Sequence, residues 1–137
     1  MSILYAPNKT IKVGVLRGGP SHEYDVSLQT GAHVIEHMPD PYFAQDIVIS
    51  KDGEWHSGGF TKKPEKILSQ VDVVFNALHG GFGEDGKVQA ILRSFNKPHT
   101  GSHTFASSIS MNKNLAKNIY SNYGIKTPIS IVLHPKD

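Results

Sequence analysis

The sequence predicts an α/β fold in which helices cover both faces of a mostly parallel sheet. The apolar run VDVVFNAL (71–78) is rich in valine, as is typical of a strand buried on both faces. The glycine-rich segment HGGFGEDG (79–86) follows, and apolar residues then recur at helical spacing, at Val88, Ile91, Leu92 and Phe95. The rest of the chain continues this alternation of strands and helices, which favours a right-handed parallel arrangement.

The first half of the chain carries the same units in order. IKVGVLRGG (11–19) predicts the first strand, and a helix follows with apolar positions from Tyr24 to Met38, stopped by Pro39. YFAQDIVIS (42–50) predicts the second strand. An Asp-Gly turn in KDGE (51–54) then predicts a small hairpin, and a short helix is expected at 64–69, with proline at its first position.

The last third predicts a brief strand at 98–101 and one long helix. Thr104 or Ser107 would cap this helix, and Gly124 would terminate it. TPISIVL (127–133) looks like the beginning of another strand. Because no helix follows that strand, we expect the chain to be part of a longer protein.

Composition narrows the functional class. The net charge is only +2 and the basic residues are dispersed, which disfavours nucleic acid as a partner. The sequence has no cysteine, so it holds neither a disulfide framework nor a thiol nucleophile. MSILYAPNKT (1–10) lacks the features of a signal peptide, and no window approaches the roughly 18 apolar residues of a membrane span. We therefore expect a cytoplasmic domain with no membrane partner.

The segment 79–86 is the first candidate site. Ligands of open α/β sheets bind beyond the carboxyl ends of the strands, where this loop would lie, although a plain turn is the alternative. A tight passage from strand through Gly18 and Gly19 to helix predicts a second loop of the same kind. We expect the two loops to converge. The loop at Gly18 and Gly19 lacks the G-x-G-x-x-G fingerprint, which disfavours a dinucleotide-binding fold of the NAD type built on the first strand.

Three segments carry a family resemblance: VGVLRGGPSHEYDVSL (13–28), DVVFNALHGGFGEDGKVQAIL (72–92) and TGSHTFASSISMNKNLAKNIYSNYGIKTP (100–128). In this order and spacing they resemble the N-terminal part of D-alanine–D-alanine ligase, an ATP-grasp ligase of peptidoglycan precursor synthesis. The resemblance covers nearly all of residues 11–130. It implies a Rossmann-like pre-ATP-grasp domain at 11–126 and the start of the ATP-grasp part at 127–137. Residues 1–10 before it are predicted to be a loose leader.

The resemblance also implies a substrate site. Glu23 matches the glutamate that holds the ammonium group of the first D-alanine, a task that suits a charge-assisted hydrogen bond. Val26 matches an apolar contact to the substrate methyl group, and His79 matches the histidine beside the same subsite.

Further matches concern the loop and the nucleotide. Glu84 resembles the acid that meets a loop from the remaining part of the enzyme, with Gly80 and Gly81 supporting the turn. Lys113 matches a lysine that reaches the ATP phosphates. Many relatives have an acid where Asn112 stands. The neighbouring side chain that would support Lys113 is therefore different in this chain.

The implied reaction has two steps. One D-alanine takes the γ-phosphate of ATP as an acyl phosphate, and the amine of a second D-alanine attacks it, with Mg²⁺ holding the phosphates. ATP and Mg²⁺ would bind mostly outside this segment, so the chain alone is not expected to be active. The resemblance leaves open a homodimer, and D-lactate or D-serine as the second substrate.

Simpler interpretations stand beside these. Glu23 would also suit the first turn of a helix, where the macrodipole stabilises an acid by about 0.3–1 kcal/mol. His79 would equally fix its turn, and Lys113 with Lys117 would form a solvated helix face. Asp85 is assigned to the N-cap of the following helix. As a whole, the chain would alternatively be a free-standing, non-catalytic module that binds a small ligand or a protein.

The pentapeptide HVIEH (33–37) matches the H-x-x-E-H signature of inverted zinc proteases. Two histidines at i and i+4 can share a metal, with the glutamate as base. However, Pro39 ends the helix at once and the sequence identifies no third ligand, so we favour a solvent-facing histidine pair.

Overall fold

A computed structural model describes residues 10–133. Within this range the strands are β1 (Ile11–Gly18), β2 (Tyr42–Ile49), β3 (Trp55–Ser57), β4 (Phe60–Thr61) and β5 (Val73–Asn76). The helices are α1 (Tyr24–Glu36), α2 (Pro64–Leu68), α3 (Gly81–Glu84), α4 (Lys87–Ser94), α5 (Thr104–Met111) and α6 (Lys113–Asn122). None of these helices is long and apolar enough to cross a membrane.

The described strands form one sheet in the order β4-β3-β2-β1-β5. β1 lies inside the sheet, next to the edge strand β5, and pairs in parallel with both β2 and β5. β3 and β4 extend the β2 edge in antiparallel fashion, so the predicted hairpin is present and β4 adds a strand that the sequence did not predict. Since β1 and β5 are parallel neighbours, their carboxyl ends lie at the same edge of the sheet.

Apolar side chains alternate between the two faces of the sheet. Val13 and Val15 pack with Ala77 on one face, where α1 covers them with Val34 and Ile35. The opposite face holds a larger core from β1, β2, β5, α2 and α4, whose fully buried members include Leu16, Ile47, Ile67, Leu68, Val74, Val88 and Leu92. Burial on both faces explains the valine-rich strands, and the predicted fold class is confirmed.

Arg17 fastens α1 to the sheet. Its Nε and Nη2 donate to the two carboxylate oxygens of Asp46 in β2, at 2.7 and 2.6 Å, and its Nη1 donates to the carbonyl oxygen of Leu28 at 3.3 Å. The hydrogen bond to Asp46 raises the pKa of Arg17 above its ordinary value. Gly31 makes this approach possible, because a Cβ there would lie 2.6 Å from the Cβ of Arg17.

The prediction of a single helix after residue 104 is wrong, because the chain forms two helices, α5 and α6, that are separated at Asn112. His103 is the N-cap of α5, in place of Thr104 or Ser107. Asn112 has an extended ψ of 92°, and its side chain accepts a hydrogen bond of 3.1 Å from the Leu115 amide. This local bond competes with helical continuation and starts a new helix. Gly124 follows the C-cap with φ +69°, as predicted.

Two predicted strands are not formed. Near 98–101 there is only a bridge of His99 to Val74, since Pro98 has no amide to donate and Gly101 has φ +94°. Residues 127–133 are without regular structure and mostly exposed. No described strand lies beside them, and a strand needs a partner for its backbone groups.

Candidate functional site

The loops that follow β1 and β5 are joined by two serines. Ser27, fully buried in α1, accepts a hydrogen bond of 2.8 Å from the Gly18 amide and donates one of 2.8 Å to the Ala77 carbonyl. The Ser21 hydroxyl donates to the His79 carbonyl at 2.8 Å. The two glycine-rich loops therefore converge, as the sequence predicted.

Glu23 lies at this junction. It occupies the N-cap position of α1 but makes no side-chain capping bond, and among residues 10–133 its exposed carboxylate forms no salt bridge. Its Oε2 lies against Gly80, where an added Cβ would approach to 2.7 Å. Gly80 itself has φ +73°, a conformation that favours glycine. The carboxylate thus faces the other loop and is not used in capping α1.

His79 is tied to α1. Its Nε2 lies 2.9 Å from the Thr30 hydroxyl, which donates to the Val26 carbonyl at 3.0 Å. Since that hydroxyl has one proton, it accepts from His79, so Nε2 carries hydrogen and the Nδ1 of the neutral ring is an acceptor. This bond supports the interpretation that His79 fixes its turn. The second ring nitrogen, Nδ1, can still accept a hydrogen bond from another donor. The Val26 side chain is 54% exposed.

The segment predicted as a loop at 79–86 contains the short helix α3. The Gly80 amide donates to Glu84 Oε1 at 3.2 Å, so the acid closes the turn, and Gly81 at the start of α3 is exposed. Asp85 is not the N-cap of α4, because Gly86 takes that place with φ +96°. Asp85 still supports the helix start, since its Oδ1 accepts from the Lys87 amide at 3.0 Å.

A hollow of about 450 Å³ opens between α3 and the junction of α5 with α6. Three of the predicted residues share its wall, His79, Glu84 and Lys113, whereas Glu23 and Val26 lie outside it. Lys113 begins α6, and its ammonium group donates to the Ser110 carbonyl at 3.3 Å. A larger hollow of about 660 Å³ beside Arg93 and His103 contains none of the predicted residues.

Two amides in this wall were not identified from the sequence. Asn76 and Gln89 both donate to the Gly83 carbonyl, at 3.0 and 2.8 Å. Gln89 is 4% exposed, and its Oε1 has no hydrogen-bond partner among the described residues. The sequence did contain a signal for Gln89, because this polar residue stands three positions before Leu92 and so falls on the buried face of α4.

Comparison with known proteins points to one family. Residues 56–102 match the family described as D-ala D-ala ligase N-terminus. A D-alanine–D-alanine ligase of Cupriavidus necator is 35% identical over 128 residues, which cover 93% of this chain and 37% of that protein. One from a Marinomonas species is 38% identical over 132 residues, covering 93% of this chain and 41% of the relative.

Solved structures agree. The D-alanine–D-alanine ligase of Aeromonas hydrophila superposes with a TM-score of 0.80 at 27% identity, covering 93% of this chain and 52% of that one. The VanG D-Ala:D-Ser ligase of Enterococcus faecalis gives a TM-score of 0.74 at 31% identity, covering 88% of this chain and 44% of that one. This chain spans about two fifths of the length of the curated relatives it matches.

Proposed function

Because the chain carries the N-terminal domain of the D-alanine–D-alanine ligase family, we propose that it forms one wall of a D-alanine site in an ATP-dependent ligase. The domain proposed for this role is 11–126, and the enzyme would work in the cytoplasm, where ATP is available. The observation that carries the proposal is the junction of the two loops, where the Glu23 carboxylate faces Gly80 and forms no salt bridge among the described residues.

In this proposal Glu23 holds the ammonium group of the first D-alanine. A carboxylate that bonds to a cationic donor typically stabilises it by about 1.5–3 kcal/mol. The exposure of Glu23 and its position beside Gly80 support this role, since a glycine permits close approach of a small ligand. Val26, in the first turn of α1, would contact the substrate methyl group.

His79 and the α3 turn would complete the wall. The Nε2–H of His79 bonds to Thr30, which leaves Nδ1 able to accept from the substrate or from water. Gly80, Gly81 and Glu84 would keep the turn in the shape that receives a loop from the rest of the enzyme. Gln89 also lines the hollow, and its buried Oε1 has no hydrogen-bond partner among the described residues.

Lys113 would provide a contact to the ATP phosphates. Its position in the first turn of α6 adds the positive end of a helix to the positive charge of the ammonium. Asn112 caps α6 through the Leu115 amide and would in this way hold the first turn that carries Lys113. Most of the ATP site and the Mg²⁺ ligands would lie outside this segment.

A chimera tests this function. Residues 11–126 would replace the matching residues of the Cupriavidus necator ligase, and phosphate release would be measured with ATP, Mg²⁺ and D-alanine. We expect turnover that requires D-alanine. Glu23→Gln should raise the KM for the first D-alanine by at least about tenfold. Glu65→Gln, an exposed acid in the first turn of α2, is the matched control and should leave KM unchanged.

Circular dichroism would first establish that the chimera folds. A folded chimera that forms no dipeptide would contradict the proposal, as would equal effects of the two substitutions. The isolated chain provides a separate test, since we expect it to form no D-alanyl-D-alanine from ATP and D-alanine. Dipeptide made by the pure chain would show that the site is complete within it.

A further inference from the structure

Three side chains of the types that can bind metals lie together at the end of α1, away from the loop junction. One ligand atom from each of His33, Glu36 and His37 lies within 4.8 Å of the others, and all three residues are exposed. The spacing explains the cluster, because positions i, i+3 and i+4 share one face of a helix. The pair of histidines expected from the sequence is thus solvent-facing, and Glu36 joins it as a third donor.

The hydrogen bonding of His37 suits metal binding. Its Nδ1 lies 2.9 Å from the His33 carbonyl, which only accepts, so Nδ1 carries the hydrogen and the lone pair of the neutral ring is on Nε2. Histidines that bind metals in proteins commonly donate their other nitrogen to a backbone carbonyl in this way, which fixes the orientation of the ring. The bond is therefore a second observation, independent of the clustering.

The surroundings of the cluster also favour a cation. The three residues occupy the last turn and C-cap of α1, at the negative end of the helix dipole. The imidazole rings of His33 and His37 lie 4.1 Å apart between centroids, with planes tilted by 40°. At this separation, two neutral imidazole rings can each offer a nitrogen lone pair to one shared ion.

We propose that His33, Glu36 and His37 form a surface site for a borderline divalent transition metal such as Cu²⁺, Ni²⁺ or Zn²⁺. Two imidazole nitrogens and one carboxylate oxygen are donors that these ions accept, and they are a poor match for Mg²⁺ or Ca²⁺, which prefer all-oxygen sites. The remaining coordination positions would be filled by water. Glu36 is a ligand in this site and not a catalytic base.

Isothermal titration calorimetry of the 137-residue chain with each metal alone tests the site. We expect one ion per chain, with Cu²⁺ bound more tightly than Ni²⁺ or Zn²⁺ and no saturable binding of Mg²⁺. The double variant His33→Gln/His37→Gln should weaken Cu²⁺ binding by more than about tenfold, which corresponds to about 1.4 kcal/mol. Glu36→Gln should weaken it less, because both imidazoles remain.

The matched control is His22→Gln/His103→Gln, which removes two exposed histidines elsewhere and should preserve binding. In the unaltered chain, Cu²⁺ should broaden the imidazole NMR signals of His33 and His37 before those of other histidines, a readout that needs no variant to fold. Equal loss of binding in the two double variants, broadening that begins at other histidines, or a chain that binds none of the three metals would overturn the proposal.

Discussion

The Ser27 hydroxyl donates a hydrogen bond of 2.8 Å to the carbonyl oxygen of Ala77, fifty residues further along the chain. The Ser27 hydroxyl oxygen in turn accepts a hydrogen bond of 2.8 Å from the Gly18 amide, so one buried side chain joins the end of β1 to the end of β5. This bridge fixes the separation of the two loops that form the candidate site. Glu23 and Gly80 face each other because Ser27 and Ser21 hold their loops together.

Ser27→Ala should therefore destabilise the domain. It would leave a buried amide and a buried carbonyl without their partner, at a cost of about 1–3 kcal/mol in the free energy of unfolding. Urea denaturation followed by circular dichroism measures this change. Ser94→Ala, an exposed serine at the end of α4, removes a similar hydroxyl and should stay within about 0.5 kcal/mol. If the two variants unfold at the same urea concentration, the bridge does not stabilise the fold.

Two glycines of α3 should respond differently to alanine. A Cβ at Gly83 would meet the Leu78 Cβ at 2.5 Å and its backbone carbonyl carbon at 2.9 Å, whereas a Cβ at Gly81 meets no atom within 4 Å. Because backbone atoms cannot move aside as a flexible side chain can, Gly83→Ala should lower the free energy of unfolding by about 1–3 kcal/mol. Gly81→Ala should be neutral or stabilising by about 0.4–1 kcal/mol.

Thermal unfolding of the two variants, measured in parallel, tests this difference. Both substitutions add the same methyl group to the same four-residue helix, so helix propensity cancels in the comparison. A Gly81→Ala variant that is as unstable as Gly83→Ala would mean that α3 itself, and not the contact with Leu78, rejects the side chain.

The Asp52 carboxyl should have a pKa below its ordinary value. The Ser50 hydroxyl donates to its Oδ1, and this hydrogen bond lowers the pKa of the Asp52 carboxyl below its ordinary value. Because the folded-state pKa is depressed, the associated stabilisation is present above the unfolded-state pKa and is lost as the pH falls through the folded-state value. Carbon-13 NMR of the carboxyl group measures the titration.

Ser50→Ala should raise the pKa of Asp52 toward its ordinary value, since it removes the donor. Ser69→Ala, a serine whose hydroxyl donates to the Lys66 carbonyl in a different turn, should leave that pKa where it was. An unchanged titration of Asp52 in the Ser50 variant would show that another group holds the carboxylate.

Asn112 should control the start of α6. Asn112→Ala removes the acceptor of the Leu115 amide and should destabilise α6 by about 1 kcal/mol. Asn112→Asp keeps the cap and adds a negative charge, which stabilises the helix N-terminus by about 0.3–1 kcal/mol. α6 packs mainly on α5, so hydrogen exchange of the Leu115 and Ala116 amides reports it better than global unfolding. Asn114→Ala, an exposed change inside α6, is the control. Faster exchange in that control than in Asn112→Ala would argue against the cap.

Local patterns predicted most elements because periodicity is a local property. The strands at 11–19 and 42–50 and the helix from Tyr24 follow from apolar spacing and from glycine or proline at their ends. The division at Asn112 was missed because the apolar stripe continues across it, and only the cap shows that the backbone turns there. The strand expected at 127–133 was wrong because a β-like composition does not supply a neighbouring strand.

By itself, the sequence determined the fold class, the family resemblance and the residues of the two loops, since each of these is written in short segments of the chain. Only the tertiary structure decided that Glu23 faces Gly80, that His79 bonds to Thr30 with Nε2, and that the buried Oε1 of Gln89 has no hydrogen-bond partner among the described residues. These relationships join residues that the parallel pairing of β1 with β5 brings together. That pairing depends on how the whole core packs, which no local pattern specifies.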